Sequence, residues 1–114
     1  MFQQVMIVGH LGRDPEMRFT PKGDAVTDFS IAASRRKDET IWFRVSVWGA
    51  QAEACNQYLK KGSKALVIGR LVAGDDGNPK TFQRKDGTTG SSFEISAYEV
   101  KFLDSKEESQ EVRF

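Results

Sequence analysis

The chain has 114 residues, 39% of them apolar and 29% charged, with a formal net charge of +1. That length supports one domain with a single core, and the composition is that of an ordinary globular protein. No run of about 18 apolar residues occurs, which excludes a transmembrane helix, and a near-neutral charge excludes capture of a polyanion by gross charge alone.

In chain order, Val5 to Leu11 reads as a first strand, with Gly9 inside it at a bend or bulge and Gly12 ending it. Arg13-Asp14-Pro15 is a turn. Glu16 to Thr20 continues as a short strand, and Pro21-Lys22-Gly23-Asp24 is a hairpin turn. Ala25 to Ser34 is the next strand, with Phe29, Ile31 and Ala33 alternating with Asp28, Ser30 and Ala32. Arg35 to Thr40 is expected as a short charged loop, and Ile41 to Trp48 as a strand. Ala50 to Lys61 reads as the one helix. Ala54, Cys55, Tyr58 and Leu59 share its apolar side, Lys60 and Lys61 suit its C-terminal dipole, and Gly62 is placed to end it. Lys64 to Val72 is a strand, Ala73 to Ser92 a long loop or protruding hairpin, and Phe93 to Leu103 the last strand.

The fold class expected from this order is all-β. Three strands, a helix and two more strands, with glycines where strands must bend, describe an OB-fold, a five-stranded Greek-key barrel with one helix between strands 3 and 4. An SH3-like barrel lacks that helix, and a βαβ sheet needs more of them. Met6 and Met17 are expected to fill the barrel. Residues 1–103 form the domain, and 104–114 a short polar, acidic tail expected to be disordered. That tail holds four acidic and two basic residues, so the body before it, with 15 basic and 12 acidic, carries +3.

The strand from Ile41 to Trp48 is the most informative segment. Successive side chains point to opposite faces. One face carries Ile41, Phe43, Val45 and Val47, an ordinary core face; the other carries Trp42, Arg44, Ser46 and Trp48. Two indoles with a guanidinium between them stack on flat rings and offer a cation to an anion beside them, the chemistry of bases strung on a phosphate chain. The competing reading packs the Trp face under a helix or against another subunit.

Several blocks, in order, carry a family resemblance: Val8-Gly9-His10-Leu11-Gly12-Arg13-Asp14-Pro15-Glu16-Met17-Arg18-Phe19, Trp42-Phe43-Arg44-Val45 with Trp48-Gly49, Ala52-Glu53, Tyr58-Leu59-Lys60-Lys61-Gly62-Ser63 and Val67-Ile68-Gly69-Arg70-Leu71. From Val5 to Leu103 the chain resembles the bacterial single-stranded DNA-binding proteins. The resemblance implies an OB-fold homotetramer with single strands wrapped over its outside. Its stacking aromatics lie on the third strand, where Trp42 and Trp48 match, and in the loop between strands 4 and 5, where Phe82 is the best candidate. Arg44 matches the family arginine. Phe82 is equally readable as a hairpin clasp against a neighbouring subunit, and Arg44 as a strand-face salt bridge.

The cations Arg35, Arg36, Lys37, Lys80, Arg84 and Lys85 are phosphate contacts or merely solvated; Lys60, Lys61 and Lys64 serve the helix end as readily. Two departures stand out. The 35–40 loop is short, where many members carry a longer one with an aromatic. The end, Glu107-Glu108-Ser109-Gln110-Glu111-Val112-Arg113-Phe114, lacks the usual linker and Pro-Phe tip, which leaves recruitment of replication and repair proteins through it open.

No cofactor and no metal is expected. His10 has no carboxylate or cysteine cluster beside it in sequence, and Cys55 reads as a small buried residue with no partner for a disulfide or for nucleophilic chemistry. A start without a basic segment and long apolar stretch carries no secretory signal. With one cysteine, a cytoplasmic, nucleoid-associated protein with no membrane partner is the simplest expectation. A non-catalytic binder that protects single strands in replication, recombination and repair is therefore expected. The alternatives are a primosome-type OB-fold assembly factor working through protein partners and, least supported, a nuclease.

Overall fold

The computed structural model describes residues 2–103, the side chain of Arg35 excepted. It consists of β1 (Val5–Leu11), β2 (Glu16–Phe19), β3 (Ala25–Arg36), β4 (Glu39–Trp48), α1 (Ala50–Tyr58), β5 (Lys64–Val72), β6 (Lys80–Gln83) and β7 (Thr89–Phe102). Five strands close a ring in the order β1, β5, β7, β4, β3 and back to β1. All neighbours are antiparallel except β4 and β7, which run parallel with Phe43 opposite Phe93 and Val47 opposite Ala97. The two short strands are appendages, β2 on the rim of β3 and β6 on the start of β7. This is the expected OB-fold barrel, with its helix between the third and fourth barrel strands.

Closure depends on glycine at two crossings. A Cβ on Gly9 would overlap the Ala32 carbonyl, and one on Gly69 would overlap the Ser96 carbonyl. Gly9 thus lets β1 leave β5 and reach β3, where Leu11 pairs with Ile31. Gly69 lies at the register shift between β5 and β7. Inside the ring, Ile31, Val45, Val67 and Ile95 are fully buried among Leu11, Phe29, Val47 and Val100. Cys55 from α1 and Leu59 just after it join this core, so the helix closes one end of the barrel. Two polar ties hold it. The buried Thr27 hydroxyl donates to the Ala52 carbonyl at 2.6 Å. The Gln51 amide donates to the Tyr98 carbonyl at 2.7 Å and accepts from the Val100 N–H at 2.9 Å, bridging the shifted part of β7.

Burial pushes the Cys55 thiol up to about 11 from an ordinary value of 9.0, because the thiolate is the form that a dry site disfavours. The folded protein is therefore expected to resist iodoacetamide at pH 8 and to react at the free-thiol rate once unfolded in urea, as mass spectrometry will show.

The structure corrects several expectations. The helix ends at Tyr58, because Leu59 is extended (φ −91°, ψ 150°) and turns its side chain into the core. Lys60 and Lys61 accordingly lie in a separate turn, closed by the Ser63 N–H on the Lys60 carbonyl, and Gly62 (φ 88°) serves that turn rather than the helix end. Tyr58 is exposed, leaning on Phe102 with ring centroids 6.0 Å apart. Met6 points outward instead of filling the barrel, and Ile41 is exposed because the barrel opens where β4 begins. Arg35 and Arg36 belong to β3; only Lys37 and Asp38 form the turn into β4. Residues 104–114, and with them the expected tail, lie outside the described residues.

Candidate nucleic-acid interface

The outer wall of β4 carries Trp42, Arg44, Ser46 and Trp48 on one face, as strand alternation requires. Both indoles are open to solvent, Trp42 at 52% and Trp48 at 49% of full exposure. They stand six positions apart on the strand, about 20 Å. Neither is sealed in the core. Each also has a seat that fixes its direction. Trp48 lies opposite Val26, which is fully buried, and the chain leaves β4 through Gly49, whose positive φ of 71° begins the helix. Trp42 lies opposite the small Ala32 and rests on Gly12, where an added Cβ would come within 2.5 Å of its ring.

Gly12→Ala is therefore expected to re-aim the Trp42 indole. Because the atoms in the way are the far end of a side chain, the cost falls on the ring's position more than on the fold. The Trp42 emission maximum should shift while the thermal midpoint stays within a few degrees, measured by fluorescence and melting of the same preparation.

Between the two indoles the surface is polar. Arg44 is exposed and makes no ion pair with a described residue. Beside it Asp28 is held twice, by the Ser46 hydroxyl at 2.7 Å and by Arg18 Nε at 2.8 Å. This clamp ties β2 to β3 and β4 and spends the Asp28 charge internally, so the cation facing outward along β4 is Arg44.

Two hollows flank Trp42. A smaller one, about 310 Å³, is bounded by Gly12, Arg13 and Ser30. A groove of about 430 Å³ runs from Trp42 and Arg44 past Ser30 and Thr40 to Phe82 and Phe93. Phe82, 48% exposed, reaches this groove because β6 folds onto β7 opposite Gly90. A Cβ at position 90 would lie 2.7 Å from both the Phe82 ring and the Arg84 guanidinium, so the absent side chain is the space both of them use.

The sequence-predicted cations divide. Arg84 stacks 5.6 Å from the Phe82 ring centroid and donates to the Thr89 carbonyl at 3.1 Å, so it braces the hairpin. Lys80 pairs with Glu94 at 3.5 Å. Arg36 and Lys37 are exposed at the β3–β4 turn and Lys85 at the hairpin tip; the Arg35 side chain lies outside the described residues. The structure thus brings Trp42, Arg44 and Phe82 to one groove, with Trp48 farther along the same wall. Arg13 and Phe93, which the sequence reading did not propose, line these hollows as well. Arg13 sat in a turn whose approach to Trp42 depends on β1 crossing to β3, and Phe93 had the alternation of a core residue.

Among the described residues no group of three His, Cys, Asp or Glu side chains is placed to hold a metal ion, and no helix is long and apolar enough to cross a membrane.

Residues 2–103 match the model of the single-strand binding protein family. Among similar curated proteins, the single-stranded DNA-binding protein of Neisseria meningitidis is 35% identical over 114 residues, covering 93% of this chain and 62% of that protein. The single-stranded DNA-binding protein of Wolinella succinogenes is 38% identical over 118 residues, covering 96% of this chain and 69% of that one. That of Clostridium tetani is 39% identical over 107 residues, covering 89% and 70%. The chain thus spans a little under two thirds of the length of the Neisseria relative. A closed five-stranded barrel with one helix, two exposed indoles along its outer wall and a family match over nearly the whole length together place this chain in the single-strand binding protein family.

Proposed function

We propose that residues 1–103 bind single-stranded DNA without sequence preference, and that the protein protects exposed strands during replication, recombination and repair. The observation that carries this reading is the pair of half-exposed indoles with Arg44 between them on the outer wall of the barrel. A base stacked on an aromatic ring contributes about 1–3 kcal/mol, and every base has such a face. Trp42, Trp48 and Phe82 supply platforms; Arg44, Arg35, Arg36, Lys37 and Lys85 supply phosphate partners, with Lys80 and Arg84 contributing less because each already has a partner in the protein. A duplex hides its base faces in its own stack, so preference for single strands needs no further device. The chemistry is binding, with no catalytic step.

The strand is held by more than one copy in this reading. Met6 and Val8 of β1 stand exposed beside Ile68 and Leu66 of β5, a row of apolar residues on the outer wall away from the Trp face. That row supports the self-association, to a homotetramer, that the family resemblance implies. A cytoplasmic, nucleoid-associated location follows from the same role. Recruitment of replication and repair partners would rest on residues 104–114.

Titration with oligo(dT) at several salt concentrations tests the reading. Tryptophan emission should be quenched, a single strand should outcompete a duplex, and Lys37→Ala and Lys85→Ala should each lower the log–log salt slope by about 0.7. Lys80→Ala and Arg84→Ala should lower it by less. Unquenched emission with no affinity for oligo(dT) at low salt would refute the function.

A further inference from the structure

We propose that Phe93 floors an additional base-stacking subsite at the open end of the barrel, occupied by a nucleobase of the same strand that lies on Trp42. The inference rests on the single-strand reading above.

Phe93 is at odds with its position on β7. It shares strand parity with Ile95 and Ala97, which are buried in the core, yet it is 53% exposed. The reason is that the barrel ends here. β7 runs on past its partner β5 to pair with β6, and nothing among the described residues covers the ring. On one side it leans on the half-buried Phe43, with centroids 5.7 Å apart and planes tilted by 42°. That contact holds the ring in place and leaves the remainder open.

What it opens onto identifies the occupant. The ring borders the 430 Å³ groove that also contains Trp42, Arg44 and Phe82. The hydroxyls of Ser30, Thr40, Ser91 and Ser92 line the same groove. The exposed rings of Trp42, Phe82 and Phe93, the half-buried Phe43, one guanidinium and a set of hydroxyls in one groove suit a base, its phosphate and its sugar in succession. On its other side Phe93 borders a mostly apolar hollow of about 190 Å³ formed with Leu71, Val72, Ala73 and Pro79, which gives a flat ring depth to enter. The strand is thus led off the outer wall of β4 at Trp42 and across the barrel's end toward the β6–β7 hairpin.

Trp42 and Trp48 are the chain's two tryptophans, which permits a reporter at the proposed position alone. In a Trp42→Phe, Trp48→Phe, Phe93→Trp protein, oligo(dT) added to saturation, as read by the anisotropy of a dye on the oligonucleotide, should quench the single indole. Unchanged emission at saturation would overturn the proposal. Phe93→Leu keeps bulk against Phe43 but removes the flat face. It should weaken binding of a long oligo(dT) about 5- to 150-fold at fixed salt, with the light-scattering mass unchanged. Undiminished affinity, or a loss of affinity accompanied by a change of mass, would overturn it in favour of packing or of a contact between copies. If the unsubstituted protein binds no single strand, the functional reading itself fails, and that is seen before any variant is made.

Discussion

Replacing Trp42 and Trp48 together by alanine is expected to remove most of the single-strand affinity. Each platform contributes about 1–3 kcal/mol. The two lie about 20 Å apart along one strand, far enough that their losses should add. The double variant should therefore lose about 2–6 kcal/mol, a factor of roughly 30 to more than 10⁴ in Kd. Each single variant should lose about half of that on the energy scale. Because both rings are half-exposed, the thermal midpoint should move by only a few degrees and the light-scattering mass should not change. Anisotropy of a labelled oligo(dT) at fixed salt, with melting on the same sample, checks all three. Breakdown to monomers with undiminished affinity per chain would reassign the indoles to a subunit contact.

Ile31→Ala is expected to have the largest effect on stability. Ile31 is fully buried and sits where the barrel closes, paired with Leu11 on β1 and Phe43 on β4. Truncating it removes apolar contact and leaves a cavity at the seam, at a cost of about 2–5 kcal/mol. Ile41→Ala is the control. It alternates onto the same nominal face of its strand as Val45 and Val47 but lies exposed at the barrel's open end, and should cost less than about 1 kcal/mol. Urea midpoints at constant m-value will separate the two. Equal losses would mean that the open end is packed against something in solution.

The contrast between these isoleucines shows where reading residues in order succeeds and where it stops. Alternation along a strand is a local rule, and it sorted Trp42, Arg44, Ser46 and Trp48 onto one face correctly. It says nothing about where the barrel ends, so it assigned Ile41 to the core and gave no sign that Phe93 stands exposed. The same limit applies to Met6. A methionine alternating with Ile7 is apolar whether it faces in or out, and its outward direction follows from the register of β1 against β5. The charged residues fared likewise. That Lys80 is already engaged by Glu94 follows from the fold of β6 onto β7, a contact between residues too far apart in the chain for local spacing to encode.

Strand identities, the one helix and its place between the third and fourth barrel strands, and the aromatic face of β4 all follow from neighbours in the chain: side-chain periodicity, turn-forming residues and matched sequence blocks act over a few residues. Which rings stay open to solvent, which cations are spent inside the protein and how Trp42, Arg44, Phe82 and Phe93 come to share one groove depend on ring closure. Closure brings together segments tens of residues apart, through glycines at 9, 12, 69 and 90 whose missing side chains leave room for the crossing chain or for a neighbour's side chain. A local pattern records that a glycine is present; only the packed barrel shows what occupies the space it leaves.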